Sequence, residues 1–183
     1  RVPFDNYSEI YDNIGKGNSI ASLLVYDIEK KISNPRNVKI TESKTYNSGK
    51  PVLGVIGAGN FTGSTILPKL KTAGAQIKSI ASSKGLSGSI QAKKHSIENS
   101  TTDYKGILTD SEINTVLVTT QHGSHSMFVS EALESHKHVF VEKPLSTTWD
   151  GLEKVEKALE NSKGWVTVGF NRRFAPLALE LKK

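Results

Sequence analysis

The sequence predicts an α/β chain built on a doubly wound parallel sheet, and three observations carry that reading. Short runs rich in β-branched residues recur at 52–56, 77–81, 115–119, 138–141 and 165–168. Helix-compatible stretches fall between them, at 64–73, 87–94, 124–135 and 149–161. The first apolar run, Val52 to Ile56, passes without a break into a glycine turn, Gly57-Ala58-Gly59. Strands buried on both faces lose the alternation of apolar and polar residues, as these runs do. The intervening helices then serve as right-handed crossovers.

The 183 residues suit one domain, or one and a fraction, with enough chain to bury a core. Hydrophobic content of 36% and charged content of 23% are those of an ordinary globular chain. No apolar run approaches the roughly 18–20 residues needed to span a bilayer, so no membrane partner is expected. Zero cysteines exclude disulfides and thiolate metal sites within these residues. With no secretory n-region and h-region at the start, a cytoplasmic setting is the expectation. The formal charge is +6, but the lysines are spread in pairs with acids between them and no aromatic interleaving. That describes a solvated basic surface and no nucleic-acid partner. The chain begins at Arg1 without methionine and ends where a helix is starting, so a piece of a longer polypeptide is expected.

Residues 1–49 do not share the strand–helix alternation. An amphipathic helix is expected over 7–14, with Tyr7, Ile10, Tyr11 and Ile14 on one face and Gly15-Lys16-Gly17 ending it. A strand is expected over 20–26. Residues 27–50 are polar, contain Asn34-Pro35 and Ser48-Gly49-Lys50-Pro51, and read as a linker. The expected division is therefore 1–49 and 50–183.

Ligands on a doubly wound sheet bind outside the carboxyl ends of its strands, so the residues just beyond each run decide function. After Ile56, Gly57 permits a tight turn and Gly59 lets the backbone approach a phosphate. The free N–H groups of the following helix turn point at that phosphate. The motif is G-x-G-x-x-G, but its third position holds Thr62, with Gly63 one place late. After Ala81, an acid accepting from the ribose hydroxyls of NAD is expected about 20 residues beyond the first glycine. Ser82-Ser83-Lys84 stands there instead, two hydroxyls and a lysine able to hold a 2′-phosphate. This favours NADP over NAD; the other reading is a polar turn tolerating either.

After Thr119 comes Thr120-Gln121-His122-Gly123-Ser124-His125. Two histidines three apart lack a third ligand nearby, so no metal site is expected and cofactor-facing polar groups are the reading. After Val141 stands Glu142-Lys143-Pro144. Desolvating a charged pair at the mouth of a buried strand is costly unless a ligand or partner compensates. Lys143 is thus a candidate to donate a proton or hydrogen bond to a substrate oxygen, and Pro144 a candidate for a cis bond. The other reading is a surface salt bridge followed by a turn. After Val168, Arg172 and Arg173 beside aromatics are suited to phosphate or sugar, or to linking a further domain.

Taken in order, Gly-Val-Ile-Gly-Ala-Gly-Asn, Asn114-Thr-Val-Leu-Val-Thr-Thr, His125, Glu142-Lys143-Pro144 and Gly169-Phe-Asn-Arg-Arg-Phe resemble one family. It is the N-terminal domain of the glucose–fructose oxidoreductase/inositol dehydrogenase (Gfo/Idh/MocA) family, over about residues 51–176. The resemblance implies a Rossmann fold binding NAD or NADP and a catalytic Lys143 near the nicotinamide. It implies cofactor contacts at Gly57, Gly59, Asn60, Phe61, Thr120, Gln121, His122 and His125, with Ser82, Ser83, Lys84, Glu142 and Arg172 joining them as candidates. Thr62 and Ser82-Ser83 depart from the family pattern. The family's substrate-binding half lies outside these residues, so the expectation is a sugar or cyclitol oxidoreductase fragment that binds cofactor without turnover. A homo-oligomer is possible through that half. The alternative is a non-catalytic dinucleotide-sensing or scaffold module. The first segment, Val2-Pro3-Phe4-Asp5, a Tyr-bearing helix, Gly-Lys-Gly and a strand, resembles the C-terminal end of medium-chain zinc alcohol dehydrogenases. None of their zinc ligands or cofactor residues falls in it.

Overall fold

The computed structural model describes residues 1–13, 16, 21–26, 36–47 and 49–182. The chain divides into two units, Arg1–Pro35 and Arg36–Lys183. In the first, β1 (Val2–Pro3) is followed by α1 (Tyr7–Asp12) and pairs in parallel with β2 (Leu24–Val25). Phe4 stacks on Tyr26 with ring centres 4.6 Å apart and on Tyr7 at 5.9 Å. The aromatic rings remain largely exposed. Of the features expected here, Ile14, Gly15, Gly17, Ile20 and Asn34-Pro35 lie outside the described residues, as does Ser48.

The second unit is a seven-stranded sheet. Its strands are β3 (Asn37–Lys39), β4 (Val52–Ile56), β5 (Gln76–Ala81), β6 (Asn99–Thr101), β7 (Thr115–Val118), β8 (His138–Glu142) and β9 (Val166–Gly169). Their spatial order is β3-β6-β5-β4-β7-β8-β9. All neighbours from β6 to β9 pair in parallel, and β3 is antiparallel to β6. The chain builds outward from β4 to β6, then crosses back to β7 and builds the other way. That reversal opens a crevice between the carboxyl ends of β4 and β7, where doubly wound sheets take ligands.

The helices are α2 (Leu67–Thr72), α3 (Leu86–His95), α4 (Lys105–Thr109), α5 (His125–Glu134), α6 (Trp149–Glu160) and α7 (Pro176–Glu180). Alternate strand residues serve opposite faces. Val52, Ile56, Val116, Val118, Val139 and Val141 pack on α4, α5 and α6 through Ile107, Leu133 and Val155. Leu53, Val55, Ile80 and Leu117 pack on α2 and α3 through Leu67 and Ala92. The expected strands and helices are thus present within a few residues of their predicted limits. Among the described residues no helix is long and apolar enough to cross a membrane.

Two differences from expectation have physical causes. Residues 36–47 belong to the sheet unit, not to a linker: β3 extends its edge, and the stretch beyond it is strapped down by Glu98. Glu98 is only 6% exposed and accepts from the Lys44 N–H at 3.2 Å and the Tyr46 hydroxyl at 2.9 Å. Burial pushes this carboxyl up, but those donors, joined by Asn99 and Ser43, outweigh it and hold it below the usual carboxylate range. Burial, followed by the bond to Glu98, pushes the Tyr46 phenol up. The second difference is β6 with α4, two elements absent from the sequence expectation. The residues of β6 are Asn99-Ser100-Thr101, and no apolar pattern marks them.

Candidate functional site

The crevice starts at Gly57. Its φ is +115°, a region that side-chain-bearing residues rarely adopt, and a Cβ there would meet the Thr119 carbonyl carbon at 2.7 Å. The turn is held between strands: Gly57 N–H donates to Ala81 O at 3.0 Å, and Thr119 N–H to Ile56 O at 2.9 Å. Gly59 is different, because a Cβ there would meet nothing within 4 Å. Its backbone is open to the crevice, where a ligand can approach to hydrogen-bonding distance. Helical backbone begins at Asn60 and passes through a π-helical turn, Thr62–Ile66, into α2.

Thr62 stands where the third glycine is expected. It is 1% exposed, and its hydroxyl donates to Thr119 Oγ1 at 2.8 Å. Thr119 Oγ1 in turn donates to Gly57 O at 3.0 Å. This chain of hydroxyls fastens the glycine turn to the end of β7.

Around the turn lies a cleft of about 970 Å³. Of the residues singled out in the sequence, Gly57, Gly59, Asn60, Phe61, Thr62, Ser82, Ser83, Thr119, Thr120 and Gln121 line it. Ser82 also accepts from Gly88 N–H at 3.0 Å, which anchors the first turn of α3 against the end of β5. Lys84 is exposed in the turn after Ser83, outside the lining.

The others lie apart from the cleft lining. His122 is exposed, with its ring 5.6 Å from that of His125. His125 corrects its expected role: it is 0% exposed, and both ring nitrogens face backbone carbonyls. Nδ1 lies 2.7 Å from Pro144 O and Nε2 lies 3.0 Å from Thr120 O. A ring so enclosed has no surface to offer a dinucleotide. Glu142, half buried, ends β8; Lys143 beyond it is exposed, and the Lys143–Pro144 bond is cis. Among the described residues the ion pairs join Arg36 to Asp103 and Lys78 to Asp110 and Glu112, so no salt bridge occupies Lys143. Arg172 is exposed in the turn Asn171–Phe174 after β9. No cluster of three or more histidine or acidic side chains suited to a metal occurs among the described residues.

The cleft also has walls that the sequence did not mark. Ser87, Thr102, Tyr104 and Phe128 line it. Tyr104 meets Phe128 edge to face at 4.8 Å, and its hydroxyl donates to Glu131 Oε2 at 2.9 Å. Thr102 and Tyr104 follow β6. Recognising that strand would have exposed them, because they occupy its carboxyl end.

Residues 52–170 match a family model described as the GFO_IDH_MocA oxidoreductase family, NAD-binding Rossmann fold. The uncharacterised oxidoreductase YrbE of Bacillus subtilis is 31% identical over 131 residues, covering 72% of this chain and 38% of that protein. The inositol 2-dehydrogenase of Salmonella typhimurium is 31% identical over 133 residues, covering 70% and 39%. The chain therefore spans well under half the length of these relatives. Among solved structures, KijD10, a 3-ketoreductase from Actinomadura kijaniata in complex with TDP-benzene and NADP, superposes with a TM-score of 0.66. It is 22% identical, with 72% of this chain and 42% of that chain covered. The WlbA dehydrogenase from Chromobacterium violaceum, in complex with NADH and UDP-GlcNAcA, gives 0.68 at 20% identity, covering 73% and 39%. At such identities the likeness shows the fold alone. The glycine turn at the switch point and the family match over residues 52–170 together place this chain in the Gfo/Idh/MocA oxidoreductase family, whose NAD-binding Rossmann fold it carries.

Proposed function

We propose that the chain is the dinucleotide-binding part of an oxidoreductase acting on a sugar or cyclitol hydroxyl or carbonyl. The observation that carries the reading is the open backbone at Gly59, set beside the locked turn at Gly57 in the crevice between β4 and β7. The cleft fits a dinucleotide: a side chain at residue 59 would fill the space a phosphate needs, and the helix beginning at Asn60 presents free N–H groups there. Bound there, the nicotinamide would supply or accept the hydride.

The chain's own residues bind, orient and handle the proton. The turn from Gly57 to Phe61 holds the pyrophosphate. Ser82 and Ser83, with Lys84 at the rim, hold the ribose end and favour a 2′-phosphate. Tyr104 and Phe128 give one wall of the cleft an apolar aromatic surface. Lys143, exposed at the end of β8 and free of an ion pair among the described residues, donates a hydrogen bond or proton to the substrate oxygen. The inositol dehydrogenase relatives support a polyol substrate. Because the chain spans 38–39% of these relatives, it is expected to bind dinucleotide and not to turn over a polyol alone.

Calorimetric titration with NADPH and NADH tests the reading. Micromolar binding of either supports it, with NADPH the tighter. Binding of neither, or turnover of a polyol by this chain alone, overturns the corresponding part.

For residues 1–26 we propose the origin their sequence suggests, the closing helix and strand of an alcohol-dehydrogenase-like module. Sequencing the coding region upstream of Arg1 tests this. A frame encoding that family's zinc ligands supports it, and an unrelated frame overturns it.

A further inference from the structure

His125 joins two loops that the sequence keeps far apart. Its Nδ1 is 2.7 Å from Pro144 O, in the loop that carries Lys143. Its Nε2 is 3.0 Å from Thr120 O, in the loop that lines the cleft. The ring is wholly buried, at 0% exposure. A carbonyl oxygen only accepts, so the ring donates at both contacts when it carries both protons, and at one of them when it carries one. The Thr120 loop is itself tied: Thr120 Oγ1 and Ser124 Oγ lie 2.8 Å apart, and Ser124 Oγ donates to Gln121 O at 2.7 Å. A push on Thr120 or Gln121 therefore reaches the imidazole through a braced loop rather than being lost in a slack one.

We propose that His125 is a positioning residue, a buried ring that ties the Lys143 loop to the cleft loop and transmits dinucleotide contact from one to the other. The transmission rests on the reading of the cleft given above. The tie rests on the geometry alone. On this view His125 touches neither cofactor nor substrate; it fixes where the Pro144 carbonyl stands, and with it where Lys143 starts.

Three variants separate the tie from simple packing. An asparagine amide sits near Nδ1 and keeps the Pro144 bond; a glutamine amide sits near Nε2 and keeps the Thr120 bond; phenylalanine keeps neither. Hydrogen–deuterium exchange over residues 142–148 of the unliganded chain is the readout. Exchange there should quicken about tenfold in His125→Phe and His125→Gln and stay near wild type in His125→Asn, with β4 unchanged. Unchanged exchange in His125→Gln overturns the tie. If His125→Phe does not fold, the glutamine and asparagine pair still decides.

Saturation with NADPH or NADH then tests transmission. In the wild type both the cleft residues 57–61 and residues 142–148 should gain protection; in His125→Gln only the cleft should. Protection at the cleft without any at 142–148 in the wild type overturns transmission while leaving the cleft reading intact. Protection at neither place overturns the cleft reading and, with it, transmission; exchange in the unliganded chain still decides the tie.

Discussion

The Thr62 hydroxyl donates to Thr119 Oγ1 at 2.8 Å, at the point where a dinucleotide turn ordinarily has a third glycine. The late glycine, Gly63, faces the other way, toward α3, where a Cβ would meet the side-chain amide of Gln91. Thr62 and Gly63 both lie in the π-helical turn over Thr62–Ile66. Such a turn is the way a helix takes in one extra residue, and it recurs at functional sites. The departure from G-x-G-x-x-G is thus accommodated locally: Thr62 bonds to Thr119 at the end of β7, and Gly63 lies against the Gln91 amide of α3.

That arrangement predicts that the Thr62 hydroxyl supports ligand affinity through the glycine turn. Thr62→Ala removes the donor to Thr119 and should weaken NADPH binding about fivefold, the effect of roughly 1 kcal/mol for one hydrogen bond. Thr62→Ser keeps the oxygen and should bind within about twofold of wild type by the same reckoning. Calorimetric titration of the three proteins checks this. Equal affinity for Thr62→Ala would show that the turn holds its shape without the bond.

Gly57→Ala should be more severe. The new methyl would sit 2.7 Å from the Thr119 carbonyl carbon, on backbone that cannot swing aside, at a φ of +115°. Strain of this kind costs about 1–3 kcal/mol before the clash is counted. A drop in melting temperature of several degrees, with loss of dinucleotide binding, is the expected result. Thermal unfolding followed by circular dichroism reads the first part, and titration of any folded protein reads the second.

Cofactor choice should lie at the end of β5. Ser83→Ala and Lys84→Ala each remove a group suited to a 2′-phosphate, and hydrogen bonds to charged groups are worth about 1.5–3 kcal/mol. Each variant should therefore lose about tenfold or more in NADPH affinity and keep its NADH affinity. Parallel loss for both nucleotides would mean that these side chains shape the cleft without reading the phosphate.

What the sequence disclosed follows from where its information is local. Val52 to Ile56, the glycine turn and the helix behind it were legible because a buried parallel strand must be apolar throughout, and all five residues are buried. Strand β6 was not, because its buried positions are hydroxyls: Ser100 is 2% and Thr101 4% exposed. Their satisfaction comes from partners that no strand pattern shows, Ser89 Oγ for Ser100 and the Asp103 carbonyl and N–H for Thr101. With β6 went its carboxyl end, and so Thr102 and Tyr104. The burial of His125 was hidden for the same reason, since one of its partners is a carbonyl 19 residues away.

The strap over the sheet edge was hidden most completely, and it carries a pH dependence. Residues 36–47 read as linker because their anchor, Glu98, lies 52 residues beyond Tyr46 in sequence. Burial raises the Glu98 carboxyl, the Lys44 N–H and the Tyr46 hydroxyl lower it, and the net direction is down. A group whose folded pKa is depressed lends its stability above its unfolded value, here 4.5, and loses it as pH falls through the folded value. The wild type should therefore lose stability as pH drops below about 5, more steeply than Glu98→Gln, which has no charge to lose. Tyr46→Phe removes one donor that lowers this carboxyl, so its acid transition should move to higher pH. Urea unfolding at a series of pH values measures all three. Parallel acid profiles for wild type and Glu98→Gln would mean that the strap is held without help from the charge, by β3, the Glu98 backbone carbonyl and the Asn47–Gln76 bonds.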